Sequence, residues 1–243
     1  MPQPPIPGRI PGEQLFFGRR KGRPLRVGMQ ALLDGRLPDL AVPADFAGDP
    51  RGWFARPADP ARPAPAQPRA VWLEIGFGGG EHLAWQAAHN PDVGIIGGEP
   101  FLNGVASLLR HLQDQGLDNV RIVADDIRPL VAALPAGSLE RIFVLHPDPW
   151  PKRRHHFRRI VQHASIARFH ELLVPGGELR IATDDPAYLR WILARVTTHP
   201  GLRWTGRRMA DWRIRPDDWP ETRYEAKARK EGREPAYLKF VKV

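Results

Sequence analysis

Ten residues from Val71 to Gly80, Val-Trp-Leu-Glu-Ile-Gly-Phe-Gly-Gly-Gly, constrain the fold of this chain most strongly. The apolar residues before Gly76 suit a strand that is buried on both faces of a parallel sheet. The glycines then end the strand, and residues 81–89 have the pattern of a helix. A strand, a glycine loop and a helix in this order bring a nucleotide-like ligand against bare backbone at the end of a sheet. The stretch therefore predicts an α/β fold with a ligand at that edge, and a glycine turn without a ligand is the alternative.

The spacing of the glycines distinguishes between two classes of cofactor. The dinucleotide fingerprint needs a glycine at its sixth place, which is Glu81 in this chain. The order from Glu74 through Gly80 is instead Glu-x-Gly-x-Gly-x-Gly, which resembles the first motif of the methyltransferases that depend on S-adenosylmethionine (SAM). SAM is a sulfonium cation that also carries an ammonium group, so an acidic pocket favours it over a pyrophosphate.

The net charge of +9 is distributed unevenly along the 243 residues. Residues 71–150 contain four Arg against ten Asp and Glu, a net charge of −6. The flanking segments 1–36, 151–202 and 203–243 each carry a net charge of +5. A solvated surface usually mixes the two signs, so this segregation favours a polyanionic partner held by residues outside the acidic half. A compositional bias towards Arg is the alternative, but it leaves the acidic centre unexplained.

Composition excludes several classes of protein. Cysteine is absent, which excludes disulfides and thiolate metal sites. The chain has no run of about twenty apolar residues that would span a bilayer. Its proline-rich N-terminus lacks the apolar core of a secretory signal. We therefore expect a cytoplasmic protein without a membrane segment, and both a monomer and a homodimer remain open.

Three segments are expected along the chain. Residues 1–15 are rich in proline and glycine and are expected to form a flexible tail. Residues 70–243 have regular apolar periodicity and are expected to form the main domain. Residues 16–69 are expected to contain a basic arm from Phe16 to Pro24, a short helix from Gln30 to Leu37 and an extended proline-rich linker from Pro43 to Pro68.

Short apolar segments alternate with helical patterns in the main domain. An amphipathic helix is predicted from Arg159 to Leu173, and Pro175-Gly176-Gly177 is expected to stop it. This alternation predicts a doubly wound, mostly parallel sheet with helices on both faces. The predicted strands cover residues 71–75, 94–98, 120–123, 142–145, 178–182 and 237–241.

Acidic residues follow or end four of the predicted strands, where a ligand lies in such sheets. An acid after the second strand can accept hydrogen bonds from both ribose hydroxyls of an adenosine. The acid after the third strand is placed for the adenine edge, with Asp125 as the open alternative to Asp126. A helix N-cap explains each acid equally well when it is taken alone, but four at successive strand ends favour a binding cleft. They are Glu74, Glu99, Asp126 and Asp148.

The residues after the fourth strand, Pro147-Asp148-Pro149-Trp150-Pro151-Lys152, form a stiff element because proline restricts the backbone. Asp148 can accept hydrogen bonds from a base edge, and Trp150 can stack on a ring. Nucleobase amino-methyltransferases have an Asp/Asn-Pro-Pro-aromatic element at this same strand end, which favours a base as the substrate. A rigid structural turn is the alternative.

A basic run follows this element directly, with five Lys and Arg among residues 152–159. Such a density of cations repels itself unless phosphates neutralise it, and each phosphate contact adds to a salt-dependent affinity. A merely solvated basic helix is the alternative.

Five histidines in this half of the chain raise the question of a metal site. No pair among them has the HExxH spacing, and the chain has no thiols. We therefore expect no metal. The residues are His146, His155, His156, His163 and His170.

Five motifs taken together resemble the bacterial tRNA (guanine-N7)-methyltransferase family. The resemblance covers about Phe17 to Val243 apart from the proline-rich linker, and the Pro-Asp-Pro-Trp element with its Arg-rich follower is its specific part. His146 departs from the family, in which an aromatic or other apolar residue is expected before Pro147. The motifs are Glu74–Gly80, Glu99-Pro100-Phe101, Pro147–Lys152, Ala182-Thr183-Asp184 and Thr222-Arg223-Tyr224-Glu225.

The resemblance implies a seven-stranded Rossmann-like methyltransferase sheet whose last strand is antiparallel. It also implies methyl transfer from SAM to N7 of guanine 46 in the variable loop of tRNA, without a metal. The implied SAM contacts are Glu74, Gly76, Gly78, Glu99, Asp126 and Asp148, and Asp148 is also the implied catalytic residue. The implied substrate contacts are Lys152, Asp184, Thr222, Arg223, Tyr224 and Glu225. The implied RNA contacts are Arg154, His155, His156, Phe157, Arg158 and Arg159.

Guanine N7 has a lone pair and no proton at neutral pH, so its methylation needs no general base. We expect catalysis by in-line positioning, with Asp148 or Asp184 stabilising the developing cation or holding the N1 and N2 edge of guanine. One alternative is a methyltransferase for a protein or a small molecule, which the basic flanks and the Pro-Asp-Pro-Trp element disfavour. The other is a non-catalytic RNA-binding protein with a relic cofactor fold, which the complete set of strand-end acids disfavours.

Overall fold

The computed structural model describes residues 18–46, 48–55 and 67–243. The predicted tail, residues 1–15, lies outside the described residues. So do Phe16 and Phe17 at the start of the predicted basic arm, and residues 56–66 of the predicted linker.

The strands of the described residues form one seven-stranded sheet. They are β1 (Ala70–Ile75), β2 (Val93–Gly98), β3 (Val120–Val123), β4 (Leu139–Leu145), β5 (Leu173–Thr183), β6 (Leu202–Trp204) and β7 (Ala236–Lys242). Their order in the sheet is β3-β2-β1-β4-β5-β7-β6. The pairs from β3 to β5 are parallel, and β7 is antiparallel to both of its neighbours. The predicted doubly wound, mostly parallel sheet with an antiparallel last strand is confirmed.

Helices cover both faces of the sheet. Because side chains alternate between faces along each strand, a buried strand contributes to an apolar cluster on each face. Val71 and Leu73 of β1 belong to one apolar cluster, and Trp72 between them belongs to the cluster on the opposite face. The helices of the described residues are α1 (Val27–Gly35), α2 (Leu37–Leu40), α3 (Glu81–His89), α4 (Leu102–Gln115), α5 (Arg128–Ala133), α6 (His163–Leu172), α7 (Pro186–Val196), α8 (Ala210–Arg213) and α9 (Arg223–Lys230).

The predicted helix from Arg159 to Leu173 differs from the structure at its start. Helix α6 begins only at His163, because Gln162 and Ser165 form a capping box there. Strand β5 then begins at Leu173, so the Pro-Gly-Gly sequence that was expected to separate helix from strand lies inside β5. The short strand β6 was not predicted. It pairs with β7 at the edge of the sheet.

The proline-rich segment also differs from the extended linker that was expected. Residues Pro50–Phe54 form a 3-10 helix in which Trp53 and Phe54 are buried. The buried guanidinium of Arg121 donates to the carbonyl oxygen of Trp53 at 2.8 Å and lies 5.0 Å from the ring centroid of Phe54. Two adjacent aromatic side chains thus extend the core. They do not belong to a periodic apolar pattern, so the sequence did not predict their burial.

Candidate active site

A cleft of about 440 Å³ opens at the carboxyl ends of β1 to β4. All four strand-end acids, Glu74, Glu99, Asp126 and Asp148, contribute to its walls. The glycines at positions 76 and 78 and the aromatic side chain of Trp150 also line it. The structure therefore brings the predicted cofactor residues together in one place.

The glycine loop approaches the start of α4 too closely for side chains. Gly78 has a φ of +58°, a conformation that L side chains rarely adopt. A Cβ atom at Gly104 in α4 would lie 2.1 Å from the carbonyl oxygen of Gly78. The loop and the helix are thus in direct backbone contact, and Gly76 and Gly78 of the loop line the cleft.

Glu99 connects this loop to the start of α4 through its two carboxylate oxygens. Oε2 accepts a hydrogen bond from the backbone N–H of Gly78 at 2.8 Å, and Oε1 accepts one from Phe101 at 2.9 Å. Burial raises the pKa of Glu99, and the nearby charge of Asp148 raises it further, although the two hydrogen bonds act in the opposite direction. Each oxygen retains a second lone pair, so the carboxylate can still accept from hydroxyl groups of a ligand.

Glu74 lies deeper in the cleft and is almost fully buried. Its Oε2 is 2.7 Å from Nδ1 of His82, which is buried in the first turn of α3. The sequence interpretation did not identify His82 as functional. Its position eight residues after Glu74, on the helix that follows the glycine loop, is the only signal for it in the sequence.

The structure distinguishes the two acids after β3. Asp126 lines the cleft, and Arg128 donates to both of its carboxylate oxygens. Asp125 faces the N-terminal arm and forms an ion pair with Arg20 at 2.8 Å. Asp126 is therefore the acid of this pair that faces the cleft.

The Pro-Asp-Pro-Trp element is held in a strained conformation. His146, which precedes it, and Trp150, its last residue, have φ values of +47° and +41°. Such backbone angles in residues other than glycine persist only where the surroundings enforce them, and they are common at functional sites. Asp148 lies between them and reaches the cleft, whose walls displace water and raise the pKa of its carboxyl group.

Arg159 stabilises this conformation through hydrogen bonds to the backbone of the element. Its guanidinium donates to the carbonyl oxygens of Pro149, at 2.7 Å, and of Trp150, at 3.3 Å. The same group lies over the rings of Tyr188 and Trp191. Only 5% of Arg159 is exposed, and its guanidinium is used inside the protein, which does not favour the predicted RNA contact for this residue.

The rest of the basic run forms a 3-10 helix, Arg153–Arg158, at the rim of the cleft. Arg154 is exposed, and 64% of Phe157 is exposed. Arg158 lines the cleft with its guanidinium 4.9 Å from the ring centroid of Trp150. Partial burial and the neighbouring cations lower the pKa of His155, which with His156 is partly exposed. Lys152 is exposed outside the cleft.

The Thr222–Glu225 motif covers the glycine loop. The ring of Tyr224 lies over Gly78, where an added Cβ atom would be 3.0 Å from the ring. Nε of Arg223 is 3.2 Å from Oε1 of Glu81, and the hydroxyl of Thr222 caps α9. The first three residues of the motif line the cleft.

Glu225 does not share this position. It is 2% exposed and accepts hydrogen bonds from Arg229 and from the hydroxyl of Tyr237. The structure does not favour the predicted substrate contact for Glu225, because its carboxylate is buried beneath α9 and holds that helix on β7.

Asp184 lies behind the cleft wall. Its Oδ1 is 3.3 Å from Nδ1 of His146, which does line the cleft, and its other oxygen pairs with Arg233. The hydrogen bond from His146 lowers the pKa of Asp184. The residue that departs from the family pattern, His146, thus connects Asp184 to the cleft.

The basic arm contributes residues that the sequence did not assign to the site. Gly18 and Arg19 line the cleft. The side-chain amide of Asn103 accepts from the backbone N–H of Gly22 and donates to the carbonyl oxygen of Arg23, both at 2.9 Å. The arm is thereby clamped to the start of α4.

No group of three or more His, Cys, Asp or Glu within the described residues has the geometry to hold a metal ion. No helix in residues 18–46, 48–55 and 67–243 is long and apolar enough to cross a membrane.

The fold and the cleft define a Rossmann-like methyltransferase. A family model described as "Putative methyltransferase" matches residues 68–238. Among solved structures, TrmN from Thermus thermophilus shares the fold, with a TM-score of 0.50 and 20% identity over 72% of this chain and 45% of that one.

Curated relatives define the family more narrowly. A tRNA (guanine-N(7)-)-methyltransferase of Rhodospirillum rubrum is 52% identical over 240 residues, which cover 97% of this chain and 90% of the relative. The corresponding protein of Agrobacterium fabrum is 44% identical over 94% of this chain and 95% of its own length. The chain belongs to the tRNA (guanine-N(7)-)-methyltransferase family, as the sequence motifs predicted.

Proposed function

We propose that this protein transfers a methyl group from SAM to N7 of guanine 46 in the variable loop of tRNA, in the cytoplasm. The observation that carries the proposal is the convergence of acids from four strand ends on one cleft beside Trp150 and a basic rim. The names of the relatives support tRNA and guanine N7 as substrate and target. The position 46 and the donor come from the family resemblance of the motifs.

The residues of the cleft fit a cationic cofactor with an adenosine group. Asp148 and Glu99 are carboxyl groups whose pKa is raised by burial, so a bound cation would offset the cost of their charge. In this proposal Glu74 holds the ammonium end, Glu99 the ribose hydroxyls and Asp126 the adenine edge. The backbone of Gly76 and Gly78 lies against the same ligand.

The tRNA side of the proposal uses the rim. Thr222, Arg223 and Tyr224 contact the target nucleoside, with Lys152 and Asp184 at the edge of its pocket. The exposed part of the 3-10 helix, residues 154–158, binds the phosphate backbone. Arg159 and Glu225 are not included, because both side chains are buried.

Methyl transfer to N7 requires positioning rather than proton transfer. When bound, SAM supplies an electrophilic methyl group, to which guanine N7 offers its lone pair while sulfur keeps the electrons of the broken bond. The stiff, strained element around Asp148 holds the guanine in line, and such positioning contributes about 7–11 kcal/mol in intramolecular reactions. The Asp148 carboxylate stabilises the positive charge that develops on the base.

The decisive experiment incubates the protein with labelled SAM and tRNA transcripts, with and without 7-deazaguanine in the variable loop. We expect label transfer to the normal transcript and none to the transcript that lacks the N7 atom. Transfer to the deaza transcript, or only to protein or small molecules, would support a methyltransferase with another target. Tight tRNA binding without any transfer would support the non-catalytic alternative.

A further inference from the structure

A buried histidine lies beside the acid that is proposed to hold the ammonium group. The side chain of His82 is only 3% exposed, as is that of Glu74. The imidazole makes edge contacts with the rings of Phe143, at a centroid distance of 4.9 Å, and Trp219, at 6.3 Å. These aromatic walls restrict the ring plane, and Nδ1 of His82 lies 2.7 Å from Oε2 of Glu74.

The neighbouring groups determine which ring nitrogen carries the proton. The nitrogen of the Gln86 side chain is 2.7 Å from the carbonyl oxygen of Asp218, which can only accept. The opposite amide orientation would bring two acceptors together, so this orientation is required. The same NH₂ group is 3.1 Å from Nε2 of His82. Because the amide donates, Nε2 accepts, and the proton of the neutral imidazole is on Nδ1.

We propose that His82 is a positioning residue for Glu74, held by Gln86 as the neutral Nδ1–H tautomer. The Nδ1–H group donates to Oε2 of Glu74 and so orients the carboxylate. Among the described residues, Oε1 of Glu74 has no hydrogen-bond partner, and Glu74 lines the cleft. That oxygen is the one available to a cationic group of the ligand. The identity of this ligand as SAM rests on the proposed function.

The chain of hydrogen bonds extends beyond the cofactor side of the cleft. Gln86 connects His82 to the backbone of Asp218. The segment that covers the glycine loop, residues 222–224, begins four residues after Asp218. The side-chain oxygen of Gln86 accepts from Asn90 at 3.3 Å, so both ring nitrogens of His82 and both polar atoms of the Gln86 side chain are paired. Buried polar side chains that are paired in this way are restricted to one arrangement.

Two substitutions of His82 separate positioning from packing. His82→Leu keeps bulk but removes the donor, whereas the side-chain NH₂ of His82→Asn occupies a place close to that of Nδ1–H. We expect His82→Leu to raise the Kd for SAM by roughly 10- to 100-fold, the effect of losing a hydrogen bond to a charged group. His82→Asn is expected to restore most of the affinity, and the KM for tRNA is expected to change less than the KM for SAM in both variants. His163→Leu, at an exposed position of α6, is the matched control.

Calorimetry without tRNA measures SAM binding, and thermal melting of the same samples reports folding. Equal SAM affinity of His82→Leu and the wild type would overturn the proposal, as would an Asn variant that binds no better than the Leu variant. Failure of the proposed function is distinguishable, because a wild type that binds SAM without methylating tRNA contradicts only that function.

The tautomer can be measured directly in the ligand-free protein. Long-range ¹H–¹⁵N spectra of histidine-labelled protein at neutral pH should show His82 as the Nδ1–H tautomer. Gln86→Leu should release this preference. A wild-type Nε2–H tautomer or an imidazolium would overturn the proposal, whatever the enzymatic activity.

Discussion

At the scale of single residues, a strained backbone determines the position of Asp148. Among the described residues, no hydrogen bond to its carboxylate contributes to this position. The flanking left-handed residues His146 and Trp150 determine where it points. Its role in the proposed reaction follows from charge and position, since guanine N7 has no proton to remove. This distinction between stabilisation and proton abstraction can be measured.

We expect Asp148→Asn to lower kcat by about 10²-fold, the typical loss of one preorganised electrostatic contact in a transition state. The single-turnover rate of the wild type in D₂O should match that in H₂O, because no proton moves in the transition state. A large solvent isotope effect that disappears in Asp148→Asn would instead identify a general base. SAM affinity measured for the same variant shows how much of the loss arises in binding.

The same carboxyl group makes the ligand-free protein less stable at neutral pH. Its folded-state pKa is raised by burial, so its charge costs stability above that pKa, and this cost is lost as the pH falls towards the ordinary value of 3.8. We expect Asp148→Asn to raise the Tm of the ligand-free protein at pH 8, and the difference to disappear near pH 4. Thermal melting across this range measures it. A Tm difference that grows towards acid pH would contradict the sign of the shift.

At the scale of elements, the basic run after Pro151 contains two kinds of arginine that the sequence does not distinguish. Arg154 is exposed, whereas the guanidinium of Arg159, one residue beyond the helix, donates to backbone oxygens under the Pro-Asp-Pro-Trp element. Both lie in the same basic run, and only their burial separates their functions.

Alanine substitutions at these two positions should therefore affect different properties, tRNA binding for Arg154 and stability for Arg159. Arg154→Ala is expected to leave Tm and SAM affinity unchanged, raise the KM for tRNA and reduce the slope of log affinity against log salt by about 0.7–0.9. Arg159→Ala is expected to lower stability by about 2–4 kcal/mol, because it removes charged hydrogen bonds from a buried site. Titrations of tRNA at several salt concentrations and urea unfolding test the pair. An unchanged salt slope in Arg154→Ala would show that the helix does not contact phosphates.

Sequence patterns predict strands and their terminal residues but not which charged side chains are buried. Strands β1 to β4 and their terminal acids were predictable, because buried parallel strands have continuous apolar runs and ligands occur at their carboxyl ends. Strand β6 was missed, since three residues at a sheet edge have no periodicity. The burial of Trp53, Arg159 and Glu225 was also missed, because it depends on contacts between distant segments. His82 could not be assigned for the same reason.

At the scale of the whole molecule, segments from both ends of the chain meet on the acidic half. The clamp of Asn103 on Gly22 and Arg23, with the ion pair between Arg20 and Asp125, holds the basic arm beside the cleft. The net charge of −6 in residues 71–150 thus faces cations supplied by other segments. Opposite charges brought together in this way explain why signs that are segregated in sequence need not be segregated in space.

Removing the contacts of Asn103 should both expose the basic arm to protease and weaken SAM binding in the cleft. We expect Asn103→Leu to accelerate tryptic cleavage after Lys21, because the backbone of residues 22 and 23 loses both amide contacts. The Kd for SAM should rise by about 3- to 10-fold, since Gly18 and Arg19 then no longer complete the cleft wall. Gln113→Leu, on the exposed side of the same helix, is the matched control. Faster cleavage with unchanged SAM affinity would show that the arm lies on the cleft without contributing to it, and its basic residues would then be available to tRNA alone.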